Sequence, residues 1–485
     1  MAPTTDKENT DGHSIGRNAY FLLVGRALGI LLSIVQVLYL ARLLGAESFG
    51  IYVFAAYFAS LFTSLGDLGL SNLLTKDLSR ARTQATAVAS RIITLKLALS
   101  TAVWLIGFVV LIALDYPSET LIIVNLRLLG RVFFGSLLYA YYHIFEGLER
   151  MAYVAIFDLT HKFLDLIACL ILFELGFTLS HYMGVLILIE GVLLLCAVGV
   201  SWSHLGVPFR LNIDWRNWGN LIRTALPYGL ILVFFEMMTT VDTTILSKIR
   251  SPLEVGFYGA SVRVVSVLSY VPLMVGSAMF PTVARVFHES PDSARPIFSG
   301  VIRAMILIGI PVAVGTTLLS QPIINLIYGE AYEAAANPLV VLAWAVGIYY
   351  VSTPLVLLLN AIDRQHYATG VVGFAALANV LLNFLLIPFW GPTGAAVATL
   401  IAQIAILMLS WKEITRLWGK IGVSRYWVQG IAAAAVMALF VFPFRSYPVV
   451  PVVIFGAAAY LGCLILVGGF TRNDWQWFKK IANYV

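Results

Sequence analysis

The chain has 485 residues, of which 60% are hydrophobic and only 12% are Asp, Glu, Lys or Arg, with a net charge of +6. Soluble domains are about 25% charged. Twenty-five acids and 31 bases cannot keep a chain of this size in water, so composition excludes a soluble enzyme, a nucleic-acid-binding domain and a disordered protein, and places the chain in lipid.

Residues 1–17 are polar, with Asp6, Lys7, Glu8 and Asp11, and read as a disordered cytosolic tail. The apolar stretch behind them is too long for the core of a cleavable signal, so the first helix is expected to act as an uncleaved insertion signal. Fourteen apolar segments follow: 18–42, 47–73, 88–114, 119–144, 153–174, 180–203, 222–247, 254–282, 298–320, 337–360, 366–387, 392–411, 426–444 and 449–470. Lipid cannot hydrogen-bond a bare backbone, so each is expected to be a helix. Barrel strands would alternate in ten-residue pieces, and these runs are continuous. The expected fold is an all-α polytopic membrane protein of about fourteen transmembrane helices. Residues 18–203 form an N-lobe, 204–221 a cytosolic linker and 222–411 a C-lobe. Residues 412–485 hold two more helices and a cytosolic tail.

Basic residues set the orientation. With the N-terminus inside, nineteen fall in cytosolic segments, among them Lys76, Arg80, Arg210, Arg216, Arg223 and Arg285. Arg42, Lys248, Arg250 and Arg445 fall opposite. A missed helix early in the chain would invert every later loop, so an even number with both termini cytoplasmic is expected. Cys169, Cys196 and Cys463 lie in apolar runs without ligand spacing and read as inert thiols; no metal site is expected.

The halves resemble each other. Leu40–Leu44 through Gly50-Ile51-Tyr52 aligns without gaps to Leu246–Arg250 through Gly256-Phe257-Tyr258. Gly147-Leu148-Glu149-Arg150 and Tyr153 align to Ala361-Ile362-Asp363-Arg364 and Tyr367. The second offset is larger by eight residues, which fits a longer outer loop around 321–336. Six helices per half give both halves one orientation. Two six-helix lobes related by a pseudo-two-fold along the membrane normal are expected, with a substrate site between them near the midplane.

The stretch LARLLGAESFGIYVFAAYFASLFTSLGDLGLSNLLTKDLSR at 40–80 resembles the first outer turn and second helix of oligosaccharide flippases. So do Val255-Gly256-Phe257-Tyr258, Met279-Phe280-Pro281, LIYGEAYEAAANPLVVLAWA at 326–345 and NVLLNFLLIPFWGPTGAAVAT at 379–399. The chain is thereby similar, over about 15–470, to the polysaccharide-biosynthesis (Wzx-type) branch of the multidrug/oligosaccharidyl-lipid/polysaccharide exporter superfamily. The resemblance implies a V-shaped pair of lobes in the inner membrane. It implies alternating-access movement of a polyprenyl-diphosphate-linked oligosaccharide from the cytoplasmic to the outer leaflet, beside other glycan-assembly membrane proteins, without cofactor or nucleic acid.

Eleven ionisable residues lie well inside the spans: Arg26, Lys96, Arg127, Arg131, Asp158, Lys162, Asp165, Glu190, Glu236, Asp242 and Arg263. Facing lipid, each would cost about 3 kcal/mol, so they are expected to face a wet cavity or one another. Asp158, Lys162 and Asp165 share one helix face, as structural pairing or as a cavity wall. Arg127 and Arg131 share a face without an acid on their own helix. Arg26 and Arg263 each lie about 13 Å deep, one in each half. Guanidinium binds phosphate oxygens with paired hydrogen bonds. Arg26 and Arg263, helped by Lys96, Arg127 and Arg131, are therefore candidates to hold the diphosphate, with Asp158 and Lys162 facing the glycan. Related lipid-diphosphate flippases carry arginines in the first and eighth helices. The alternative, in which the arginines pair with Glu190, Glu236 or Asp242, stays open. Those three acids are candidates for ion coupling, because low dielectric raises a carboxylate's proton affinity. Asp67 reads as a local cap or as a gate residue near the cytosolic end of the second helix. Pro227, Pro272, Pro311 and Pro354 mark possible hinges.

No GxxxxGK[ST], HExxH or CxxC is present, and no catalytic residue is assigned. Three rivals remain at this point, one of them a scaffold or regulatory paralogue that has lost transport. A multidrug/cation antiporter of the same superfamily would favour acids in its cavity. An intramembrane glycan ligase or polymerase would need a long loop bearing catalytic groups.

Overall fold

The computed structural model describes residues 5–419 and 422–469, except for the side chains of residues 5–24, 26, 27, 82, 231, 291 and 292. Every regular element among the described residues is helical. The chain divides into two compact units, one up to Thr244 and one from Ile245.

The first unit contains α1 (Thr5–Asp67), α2 (Leu70–Arg80), α3 (Ala85–Ala113), α4 (Ser118–Leu129), α5 (Ser136–Gly147), α6 (Met151–Glu174), α7 (Leu179–Ser203) and most of α8 (Trp215–Ile249). A π turn, Gly130–Gly135, joins α4 to α5. Leu70, Leu73, Leu74 and Leu78 recur at helical spacing along α2 and bury against α3 and α5. α1 packs on α6, α4 and α3.

The second unit contains α9 (Pro252–Leu268), α10 (Tyr270–Glu289), α11 (Pro291–Leu318), α12 (Ser320–Tyr328), α13 (Ala336–Ala361), α14 (Gln365–Trp418), α15 (Ser424–Val441) and α16 (Val449–Leu466). α13 lies against α14, α11, α10 and α9, and α15 against α16 and α11. Ser251 opens α9 with a capping box: its hydroxyl accepts the Glu254 N–H, and the Glu254 carboxylate accepts the Ser251 N–H. Two orphan donors are satisfied reciprocally. The region around 321–336, expected as a loop, is instead helical, formed by α12 and a 3₁₀ turn at Glu330–Ala335.

Ten described helices are long and apolar enough to cross a membrane, and α8 makes up to eleven if its two halves, bent by 56°, count as one span. The protein is therefore a multi-pass membrane protein. The difference from fourteen has physical sources. The spans at 18–42 and 47–73 run together in α1 across a break at Gly45, φ 70°. Those at 366–387 and 392–411 run together in α14 across Gly391, φ 53°. The 40 residues of Leu28–Asp67 would reach about 60 Å as one rod, twice the hydrocarbon thickness. α6 falls short of the test for apolar spans through its own ionisable residues, Asp158, Lys162 and Asp165.

The break at Gly391 frees carbonyls that the chain then reuses. Pro392 has no N–H for the carbonyl of Pro388, four residues back. The Arg250 guanidinium donates to that carbonyl at 2.8 Å and to Ile387 O at 3.2 Å.

Candidate functional site

The densest buried polar cluster of the first unit gathers on α4, the π turn, α6 and α7. Glu190 of α7 is fully buried and accepts a hydrogen bond from Arg127 Nη1 at 3.2 Å. His161 Nε2 lies 3.8 Å from Glu190 Oε1 and 3.7 Å from Asp165 Oδ1. Glu190 Oε2 and Asp165 Oδ1 are buried without a hydrogen-bond partner among the described residues. Gly130 makes room for the carboxylate, since a Cβ there would stand 2.9 Å from Glu190 Oε2.

Arg131 sits in the π turn rather than one regular turn beyond Arg127. Its Nη2 donates to Tyr139 Oη at 3.4 Å, and its guanidinium lies over the Tyr139 ring at 4.8 Å. Among the described residues no carboxylate stands within ion-pair distance of Arg131. π turns often mark functional sites because they redirect a side chain from the regular face.

The other cations are engaged locally. Lys162 donates to Asp158 Oδ2 at 2.7 Å, one turn away on α6. Gly29 of α1 accommodates this pair, since a Cβ there would lie 2.6 Å from Lys162 Nζ. Lys96 is buried, pairs with Asp67 and donates to Ser71 Oγ at 2.6 Å, while Ser71 donates to Asp67 at 2.5 Å. This triad holds the end of α1 to α2 and α3. Ser60 of α1 donates to Glu236 of α8 at 2.5 Å. Asp242 is buried, and its carboxylate accepts the Thr243 N–H at 2.9 Å. Arg263 is half-buried on α9 in the second unit. Arg26 lies in α1 with its side chain outside the described residues.

Sequence reasoning overlooked His161, because a charge count ignores neutral imidazole. The available signal was its place one turn from Asp165 and three residues from Asp158. It also left Arg303 unassigned. That guanidinium donates to Gly469 O at 2.8 Å and stacks on Tyr426 at 4.4 Å, tying α11 to α15 and the end of α16.

A pair of carboxylates around one imidazole can hold or release a proton. A partly satisfied arginine can meet an anion. The described residues hold no cluster of metal-ligating side chains.

The family profile described as polysaccharide biosynthesis protein matches residues 15–287, and that described as MatE matches 227–385. A probable low-salt glycan biosynthesis flippase of Haloferax volcanii, Agl15, is 26% identical over 160 residues, 33% of this chain and 34% of that protein. The probable flippase AglR of the same organism is 28% identical over 169 residues, 34% of this chain and 35% of that protein. The matched stretch thus spans about a third of these relatives' length. A putative O-antigen transporter of Shigella flexneri is 23% identical across 82% of this chain and 97% of that one. Among solved structures, the lipid II flippase MurJ in an inward closed conformation superposes with TM-score 0.70 at 16% identity, covering 90% of this chain and 99% of its own. An inward-facing MATE family multidrug resistance transporter gives 0.64 at 14%, covering 84% and 98%. At these identities the superpositions carry the fold.

Proposed function

The chain belongs to the polysaccharide biosynthesis protein family, and on that premise we propose that it is a transporter, not an enzyme, for a lipid-linked glycan. The substrate proposed is a polyprenyl-diphosphate-linked oligosaccharide, moved from the cytoplasmic to the outer leaflet of the inner membrane by alternating access. Both termini are then cytoplasmic, and the fourteen-span, two-lobe division of the sequence is retained. Names of relatives as flippases and an O-antigen transporter support this reading.

The observation that carries it is Arg131, a guanidinium within a proposed membrane span that makes its polar contact with a tyrosine, Tyr139, among the described residues. A half-buried cation with no carboxylate at ion-pair distance is costly, and an anionic headgroup would supply a direct counter-charge. Arg26 and Arg263 keep their proposed roles on the diphosphate. Arg127 is committed to Glu190 and Lys96 to Asp67, so these two shape the site from behind. Asp158 and Lys162 remain proposed for the glycan face. Glu190 is proposed for ion coupling, joined by Asp165 and His161, whose Nε2 stands between the two carboxylates. Glu236 and Asp242 are secondary candidates.

The test is depletion in cells. Lipid-linked oligosaccharide should accumulate facing the cytoplasm while the surface glycan is lost. Arg26→Ala and Arg263→Ala should abolish translocation at unchanged membrane abundance. Full activity in both would remove the diphosphate clamp, and the absence of any accumulating lipid-linked sugar would remove the function.

A further inference from the structure

Residues 206–214, between α7 and α8, carry no helix, yet they are fastened at four points. Val207 N donates to Ser201 O at 2.9 Å, and Ser201 Oγ donates to Val207 O at 2.9 Å. Further along, the Arg210 N–H donates to Ser90 Oγ and the Asn212 N–H to Thr94 Oγ1, both at 3.0 Å. Ser90 and Thr94 stand one turn apart on α3, so the segment runs along that helix as an extended strap.

Arg210 and Asn212 supply the backbone donors to α3. Val207 is buried, but the odd-numbered residues after it are apolar and exposed: Phe209, Leu211, Ile213 and Trp215 are 38%, 62%, 51% and 71% exposed. A row of exposed apolar side chains on a fastened backbone is the opposite of what an aqueous loop requires. The strap continues into the first half of α8. There Leu221, Ala225 and Gly229 face inward, and Arg216 and Arg223 stand exposed seven residues apart on the outer face. The Trp215 and Trp218 rings meet at the junction with centroids 4.4 Å apart, tilted by 47°. The one acid in residues 206–223 is Asp214, which accepts from Asn217 at 2.5 Å.

We propose that this strap, with Arg216 and Arg223, is a bilayer-interface anchor that binds anionic phospholipid headgroups. Apolar side chains beside tryptophan suit the boundary between headgroup and acyl chain, and arginines at that depth meet phosphates. The arginines at the edge of an apolar row supply the charge complementarity that selects lipid over a second protein. The strap joins α7 to α8, so lipid composition would bear on the hinge of α8.

The test uses the full chain in nanodiscs. A bimane fluorophore is placed at Leu211→Cys, with Cys196→Ser and Cys463→Ser so that only buried Cys169 remains. Ile213→Cys serves as the second site should the first lower the yield. Quenching by nitroxides at headgroup depth, with resistance to aqueous iodide, is expected at either site. Iodide quenching equal to that of a free peptide, or shielding from both quenchers, overturns the lipid assignment. In parallel, phosphatidylglycerol binding is titrated against phosphatidylcholine by native mass spectrometry. Arg216→Gln and Arg223→Gln should each weaken phosphatidylglycerol about fivefold and leave phosphatidylcholine unchanged. Equal binding in the double variant and the parent overturns the headgroup site.

Discussion

Arg127 donates to Glu190 across 63 residues of sequence, at 3.2 Å, and the carboxylate it meets is wholly buried. The pair joins α4 to α7 in the middle of the first unit. One partner without the other would be an uncompensated charge away from water.

Glu190→Ala should therefore lower stability by about 3 kcal/mol, the low end for breaking a buried pair, because Arg127 retains 17% side-chain exposure. The double variant Arg127→Gln/Glu190→Gln should lose clearly less than the sum of its single changes. Thermal melting in detergent, followed by size-exclusion fluorescence, reads both. Additive losses would show that the two side chains do not interact energetically.

Arg131 is expected to separate function from stability. Its contacts are one weak hydrogen bond and the Tyr139 ring, so Arg131→Ala should cost about 1 kcal/mol of stability. Translocation of a lipid-linked sugar in proteoliposomes should fall at least tenfold. Arg131→Lys should not restore it, since ammonium lacks the planar fork that pairs with phosphate oxygens. Wild-type transport in Arg131→Lys would reduce the role to charge alone.

The Asp158–Lys162 pair poses a choice that chemistry can decide. The pair is half-exposed and neutralises itself within one turn. Asp158→Asn/Lys162→Gln removes both charges and keeps hydrogen-bonding capacity. Full transport in this variant marks the pair as structural. A loss of tenfold or more, with melting unchanged, marks it as the glycan face.

Membrane placement was legible because composition is decided by solvent, and apolar runs of twenty residues have few other uses. The repeat was legible too, and in one place down to backbone geometry. Glu149 and Asp363 both adopt φ 60°, and Arg150 N and Arg364 N each donate five residues back, to Phe145 O and Leu359 O. A short turn between packed helices has few solutions, so sequence likeness and geometry travel together. The span count was less legible, because Gly45 and Gly391 bend helices that composition reads as separate. Partners were least legible. The sequence offered Glu190 only as one of three acids for the arginines, and nothing around Lys96 points to Asp67, since pairing between helices depends on tertiary approach. Asp67, read as a local cap, instead accepts from the Ser71 hydroxyl and is the counter-charge of a cation 29 residues on, while α2 starts at Gly69 without a side-chain cap.

The meeting of Gly69 with Gly229 offers a prediction whose sign discriminates between local and tertiary control. α1 ends at Leu68 and Gly69 with φ 43° and 83°, and α8 passes directly against this corner. A Cβ on Gly69 would stand 2.5 Å from both Ala225 O and Gly229 N, and one on Gly229 would overlap the Leu68 carbonyl. Local propensity alone makes Gly229→Ala stabilising by about 1 kcal/mol, because alanine is the better helix former. The contact reverses the sign, since the obstructing atoms are backbone and cannot rotate away, and overpacking costs about 1–3 kcal/mol. Gly69→Ala adds the left-handed penalty of about 1–2 kcal/mol. Both variants should melt earlier than the parent, with Gly69→Ala the worse. Because α8 bends by 56° near Leu230, next to this contact, Gly229→Ala should also slow transport more than its melting loss explains. A Gly229→Ala protein that melts later than the parent would show that α8 does not rest on the Leu68–Gly69 corner.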